Sequence, residues 1–277
     1  MTGPSAAALL VGCGKMGGAL LSGWLARGTS GADAPVIIIE PASAATAAFR
    51  GKPGITVVDD AQDVAAGVAP RVVVFAVKPQ GMDQVVPAYR RFVSPYTAFL
   101  SIAAGRPIAF FERHLGPEAA VVRSMPNTPA AIGRGITVAC ANAHVSREQR
   151  DICGRLLSAV GEVAWVEDER LLDPVTAVSG SGPAYVFLLV EALAEAGQAA
   201  GLPAELAMRL ARATVAGSGE LLHQAKDPAE QLRRNVTSPG GTTAAALEIL
   251  MAKRNGLSAL LKRAVAAATR RSRELAG

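Results

Sequence analysis

Short apolar runs recur along the first half of the chain, each bounded by Gly, Pro or charged residues. They predict β-strands over 7–11, 36–39, 55–58, 72–76, 98–102 and 121–125, followed by 136–140 and 163–166. The runs are nearly continuous and lack clean alternation, as expected of strands buried on both faces. Between them, Ala-rich stretches with apolar positions at helical spacing predict helices over 16–27, 43–50, 82–92, 108–115 and 147–158. Strand–helix alternation of this kind reads as a doubly wound α/β domain with a parallel sheet. After residue 166 no further β-rich run appears, and the rest reads as helices separated by Gly and Pro. Two domains are therefore expected, an α/β domain over 1–166 and an all-helical domain over 167–277.

The helix expected over 184–200 is apolar on nearly every face, with only Glu191, Glu195 and Gln198 forming a polar strip. The two glutamates argue for a buried helix and against a membrane span. A helix of that kind needs partners on more than one side, so a homodimer with intertwined helical domains is expected. The amino terminus lacks a basic region and runs straight into a glycine loop, which reads as a first strand and not as a signal peptide.

Aromatic residues are only 4% of the 277 residues, so the core must be built from Ala, Val, Leu and Ile. The formal charge of +5 is scattered, and its one cluster, Arg270, Arg271 and Arg273, falls in an Ala-rich terminal helix. That argues against a nucleic-acid surface and for mild attraction of an anionic cofactor or substrate. The three cysteines, Cys13, Cys140 and Cys153, and the three histidines stand at no metal-ligand spacing. No metal is expected, and the odd cysteine count fits reduced thiols of a cytoplasmic protein.

The first chemical motif is Gly12-Cys13-Gly14-Lys15-Met16-Gly17, after one strand and opening a helix. Gly12 permits the tight turn, Gly14 lets a pyrophosphate approach the backbone, and Gly17 lets helix and strand pack closely. The free N–H groups of the helix start, at Lys15 and Met16, then face the phosphates. This makes the α/β domain a Rossmann-type dinucleotide-binding domain. No Gly-Lys-Ser/Thr follows at the spacing of a P-loop. Glu40 ends the second strand, where a carboxylate can accept from ribose hydroxyls and repel a 2′-phosphate, or else merely cap the strand in water. The acid leans the expectation to NADH over NADPH, although Arg50 or Lys52 could still reach a 2′-phosphate. Ala76, Val77, Lys78 and Pro79 at the end of the fourth strand, and Ala103 and Ala104 after the fifth, lie where ligands of open sheets bind. Lys78 reads equally as a cofactor contact or a surface lysine. Asn127, between Pro126 and Pro129, can aim an amide at the nicotinamide carboxamide or simply occupy a turn.

In the second half, 179–185 (SGSGPAY) opens the long helix with Pro183 at its first position. A further segment, 235–243 (NVTSPGGTT), gathers hydroxyls and unpaired N–H groups at another helix start. It is a natural seat for a small carboxylate, each charge-assisted hydrogen bond contributing about 1.5–3 kcal/mol. Taken alone, either segment is also an ordinary capped helix start.

These motifs, with FAVKPQ, RSMPNTPA, AVSGSGPAYVFLLVEAL and NVTSPGGTTAAAL in this order, resemble pyrroline-5-carboxylate reductases over almost the whole chain. The resemblance implies a Rossmann domain followed by a helical dimerisation domain, dimers that assemble into larger rings, and an active site between the glycine-loop domain and helices of both subunits. It implies NAD(P)H-dependent reduction of the cyclic imine 1-pyrroline-5-carboxylate to proline. Carried across, Thr243 is the catalytic hydroxyl near the imine nitrogen. Ser238, Gly240, Gly241 and Thr242 join it in the carboxylate pocket, and Asn235 is a cofactor contact. Glu40 departs from members with small polar or basic residues at that place. The alternative, a 3-hydroxyacid dehydrogenase-like oxidoreductase, would need a lysine in the long helix, and 183–200 contains none. A non-catalytic nicotinamide sensor would need no ordered Ser-Pro-Gly-Gly-Thr-Thr pocket.

Overall fold

A computed structural model describes residues 8–29 and 34–276; the expected start of the first strand, Ala7, lies outside them. Eight strands form one sheet: β1 (Ala8–Val11), β2 (Val36–Ile39), β3 (Ile55–Val58), β4 (Val72–Phe75), β5 (Ala98–Ser101), β6 (Ala120–Met125), β7 (Gly135–Ala141) and β8 (Gly161–Trp165). Their order is β3-β2-β1-β4-β5-β6-β7-β8. The chain reverses direction across the sheet between β1 and β4, which makes that pair the switch point of a doubly wound sheet.

All neighbouring strands are parallel except β6 and β7. The doubly wound parallel sheet expected from the sequence is thus present, with the β6–β7 pairing as a departure from it. Residues 126–134 are too few for a helical crossover, which needs about a dozen or more, so the chain turns back and β7 pairs antiparallel with β6.

β1, β4 and β5 are buried along their whole length, and successive side chains feed two separate cores. Leu9, Val11, Val73, Phe75 and Phe99 enter one, with Phe111 and Leu115 of α4 (Ile108–Leu115). Phe75 is its centre, edge-on to Tyr89 at 5.3 Å and stacked on Phe111 at 5.6 Å. Leu10, Ile38, Val72, Val74 and Leu100 enter the other, with Leu20, Leu21 and Trp24 of α1 (Lys15–Ala26) and Leu157 of α5 (Arg147–Ser158). Two expected helices are shorter than read. The first, α2 (Ser43–Thr46), dissolves into turns before residue 50. The helix expected over 82–92 is α only over α3 (Met82–Val85) and 3₁₀ over Val86–Phe92, because Pro87 has no N–H to continue the ladder.

The later helices are α6 (Leu172–Val175), α7 (Gly182–Ala199), α8 (Ala204–Gln224), α9 (Ala229–Asn235), α10 (Thr242–Leu250) and α11 (Leu257–Ala276). Packing divides the chain into two compact units, one comprising the chain up to Gly180 with the stretch from Ala268 onward, the other Ser181–Ala267. Residues beyond 166 stay in the first unit because Leu172 and Ala177 are fully buried there. The Ser272 hydroxyl donates to Asp173 Oδ1 at 2.8 Å, fixing the last turns of α11 to the same unit.

In the second unit α7 pairs with α8, yet among the residues of α7 only Ala194 is buried. Phe187 is 64% and Leu188 62% exposed, with Val186, Leu189 and Leu193 beside them. The helix read as buried is open in the single chain, since α8 covers only one of its sides. The stretch Glu169–Ala199 is long and apolar enough to cross a membrane by length and composition alone.

Trp24 ties the first unit together, because its fully buried indole donates to the Leu156 carbonyl of α5 at 2.8 Å. Trp24→Phe strands that carbonyl, so urea unfolding should show a loss of about 1–3 kcal/mol.

Candidate active site

The glycine loop is held by contacts that leave no room for a methyl group. Gly12 has φ +91°, and a Cβ there would lie 2.8 Å from Val77 Cγ1 and 2.9 Å from the Ala76 carbonyl. A Cβ on Gly17 would overlap the Gly12 carbonyl and come within 3.1 Å of Ala76 Cβ. Gly12, Gly17, Ala76 and Val77 are thus brought together where β1 and β4 end. Gly14 differs: it is exposed, and a Cβ there would meet nothing within 4 Å. It is the N-cap of α1 and makes no side-chain cap, so the N–H groups of the first turn, at Lys15, Met16 and Gly17, have no side-chain acceptor from it. An open cradle beside uncapped N–H groups at the positive end of a helix fits a pyrophosphate.

Glu40 stands at the end of β2, half-buried. Its Oε2 accepts from the Cys13 N–H at 2.8 Å and its Oε1 from the Ala42 N–H at 2.9 Å. The carboxylate therefore anchors the glycine loop itself, a role absent from the sequence reading, and keeps its negative charge at the loop's edge. Lys78 is exposed, and Pro79 begins a 3₁₀ turn over Pro79–Gly81. After β5, the Ser101 hydroxyl accepts from the Ala103 N–H at 3.2 Å, and Ser124 donates to the Ser101 carbonyl at 2.9 Å. This buried pair fixes the turn that leaves Ala104 exposed. Asn127 Oδ1 accepts from the Ile136 N–H at 3.0 Å, bracing the start of β7; its NH₂ is the part with donors to offer a ligand.

Burial pushes the Cys13 thiol up to about 11, with Glu40 adding to the effect. Burial likewise raises Cys140, and it takes Cys153 to about 12. All three are free thiols that stay protonated near neutrality, so none is an activated nucleophile. Among the described residues no three His, Cys, Asp or Glu cluster as a metal site would require.

The second unit carries the other sequence candidates. Asn235 ends α9, and its Oδ1 accepts from Gln231 Nε2 at 2.7 Å. The Thr237 hydroxyl donates to the Arg233 carbonyl at 2.7 Å, and the Gly241 N–H donates to the Ser238 carbonyl at 3.1 Å, closing the turn that launches α10. The N-cap of α10 is Gly241, again without a side-chain cap, so Thr242 and Thr243 occupy its first turn above uncapped N–H groups. Ser238, Gly240 and Thr242 are exposed and Thr243 half-buried. This turn can seat a small anion beside a hydroxyl donor.

One residue at the edge of the first unit's site was passed over in the sequence. Arg106 follows Gly105 and donates from Nε and Nη2 to the Pro79 carbonyl, at 3.0 and 2.9 Å. No local signal marks it, because the pairing joins residues far apart in the chain.

Residues 169–275 match the family model described as pyrroline-5-carboxylate reductase dimerisation, and residues 7–105 match one described as NADP oxidoreductase, coenzyme F420-dependent. A pyrroline-5-carboxylate reductase of Pseudomonas aeruginosa is 44% identical, over 96% of this chain and 95% of that protein. The solved pyrroline-5-carboxylate reductase of Coxiella burnetii superposes with a TM-score of 0.89 at 32% identity, covering 99% of both chains. A Plasmodium falciparum pyrroline carboxylate reductase with NADP bound gives 0.79 at 29% identity, covering 98% of both. Likeness of this extent, running through the glycine loop and the Ser-Pro-Gly-Gly-Thr-Thr turn alike, places the chain in the pyrroline-5-carboxylate reductase family.

Proposed function

We propose that the chain reduces 1-pyrroline-5-carboxylate to proline, the last step of proline synthesis, with a reduced nicotinamide coenzyme as hydride donor. The observation that carries this is the 44% identity over nearly the whole of a curated relative bearing that activity's name. The two uncapped helix starts, one behind an open glycine cradle and one lined by threonines, supply the matching chemistry.

When bound, the coenzyme supplies the hydride, which adds to the imine carbon. The rest falls to this chain. Gly12, Gly14, Lys15, Met16 and Gly17 hold the pyrophosphate. Ala76, Val77, Lys78, Pro79, Ala103 and Ala104 support the nicotinamide end, with Asn127 and Asn235 as further contacts. Ser238, Gly240, Gly241 and Thr242 seat the substrate carboxylate through N–H groups and hydroxyls. Thr243 keeps a proton at the imine nitrogen, directly or through a water, so that the nitrogen is neutral once the hydride arrives. Thr243→Ala is expected to lower kcat about a hundredfold or more while coenzyme Kd, measured by nucleotide fluorescence, barely moves. Unchanged kcat would remove Thr243 from the mechanism.

We read the coenzyme as NADH in preference to NADPH. The Glu40 carboxylate is held at the end of β2 by two backbone N–H groups, so it cannot easily swing aside for a 2′-phosphate. Glu40→Gln keeps an acceptor for Cys13 and removes the charge. It should raise the NADPH-to-NADH ratio of kcat/KM about tenfold, a size in keeping with one near-surface charge repulsion. A ratio that stays put would assign coenzyme choice elsewhere.

The protein is a homo-oligomer. We read it as a dimer, or a ring of such dimers, in which a second copy covers the apolar flank of α7; Glu191 and Glu195 make lipid a poor cover for that helix. Phe187→Glu should then shift sedimentation from the assembled species to the monomer. The free, buried thiols suit a reducing compartment, and we place the enzyme in the cytoplasm.

A further inference from the structure

We propose that Arg106 is a positioning residue for the coenzyme, a strut that sets the spacing of the two strand-end loops supporting the nicotinamide half. The proposal rests on the coenzyme reading above and adds a residue to it.

Strand pairing between β4 and β5 ends at Phe75 and Ser101. Beyond that pair the chain continues as Ala76–Pro79 on one side and Ala103–Gly105 on the other, where the sheet ladder no longer fixes the distance between them. Arg106 bridges this gap. Its Nε and Nη2 both donate to the Pro79 carbonyl, and Nη2 also reaches Asp83 Oδ2 at 2.7 Å. The guanidinium lies 4.7 Å from the centre of the Phe110 ring, which supports it from α4. Its side chain is 26% exposed and that of Asp83 56%, so the Pro79 end of the strut is the more shielded one. Pro79 is a firm anchor, because its ring fixes its own φ and its carbonyl also accepts the Met82 N–H.

Carbonyl, carboxylate and ring face are met at once by a planar fork, which an ammonium cannot reproduce. The positive charge is paired with Asp83 within the protein, so the strut acts on geometry and not by attracting phosphate. Its loss should therefore weaken both coenzymes alike, since loops left free must be ordered on binding.

The test is fluorescence titration of NADH and NADPH with the full-length protein, without imine present, followed by steady-state kinetics. For Arg106→Gln, Kd should rise about tenfold for both coenzymes, while kcat at saturating coenzyme changes by less than about twofold. Arg106→Lys should recover part of the affinity, and Asp83→Asn, which leaves the Pro79 contact, should show a smaller rise. An unchanged Kd alongside a lowered thermal midpoint would overturn the proposal, leaving Arg106 as a stabilising residue only. A rise confined to NADPH would also overturn it, by showing a direct phosphate contact. If Arg106→Gln does not fold, Arg106→Lys and Asp83→Asn carry the same comparison. Wild-type protein that binds neither coenzyme would defeat the coenzyme reading itself, a result distinct from failure of the strut.

Discussion

Backbone meets backbone where β1 turns into α1, and the site in the first unit is built around that contact. Gly12 and Gly17 let the strand end, the helix start and the Ala76–Val77 segment approach to distances that any side chain would forbid. The close approach places the uncapped start of α1 at the switch point of the sheet, beside the open side of Gly14. Helix dipole, free N–H groups and strand ends then converge in one place. The same logic recurs at α10, where Gly241 caps without a side chain and hydroxyls surround the turn. Two helix starts in one chain thus lack a side-chain cap, and on the proposed function these are the places where acidic ligands would sit.

Carboxylates do much of the bracing around these starts. Glu40 holds the glycine loop through Cys13, and Glu169 accepts both the Ile108 N–H at the start of α4 and Arg123 of β6, each at 2.8 Å. Asp83 steadies Arg106 on the neighbouring loop. In each case an acid joins segments that are distant in sequence, so the strand ends are tied by side chains as well as by the ladder.

Much of this was legible in the residues themselves. The apolar runs marked all eight strands to within a residue or two, most plainly at β1, β4 and β5, which are buried on both faces and continuously apolar. The glycine loop was legible because Gly12 and Gly17 each answer a separate steric demand. The reversal at β7 was not, because direction depends on the length of the link after Met125 and not on the strand's own composition. Pro87 marks the break after α3, although the apolar spacing around it is helical. At Glu40 the sequence offered a ribose contact or a cap, whereas its bond to Cys13 spans 27 positions and leaves no periodic trace. Arg106 was beyond reach for the same reason, as its partners are set by tertiary packing.

The open apolar flank of α7 also governs how the protein comes into being. If a second copy covers Phe187, Leu188 and their neighbours, as proposed above, the chain reaches its final state only by colliding with another. Maturation thereby becomes a second-order process, favoured when many copies are synthesised together and slow when they are scarce. During that wait the same surface would be sticky toward unrelated chains, so prompt encounter between copies would limit such losses.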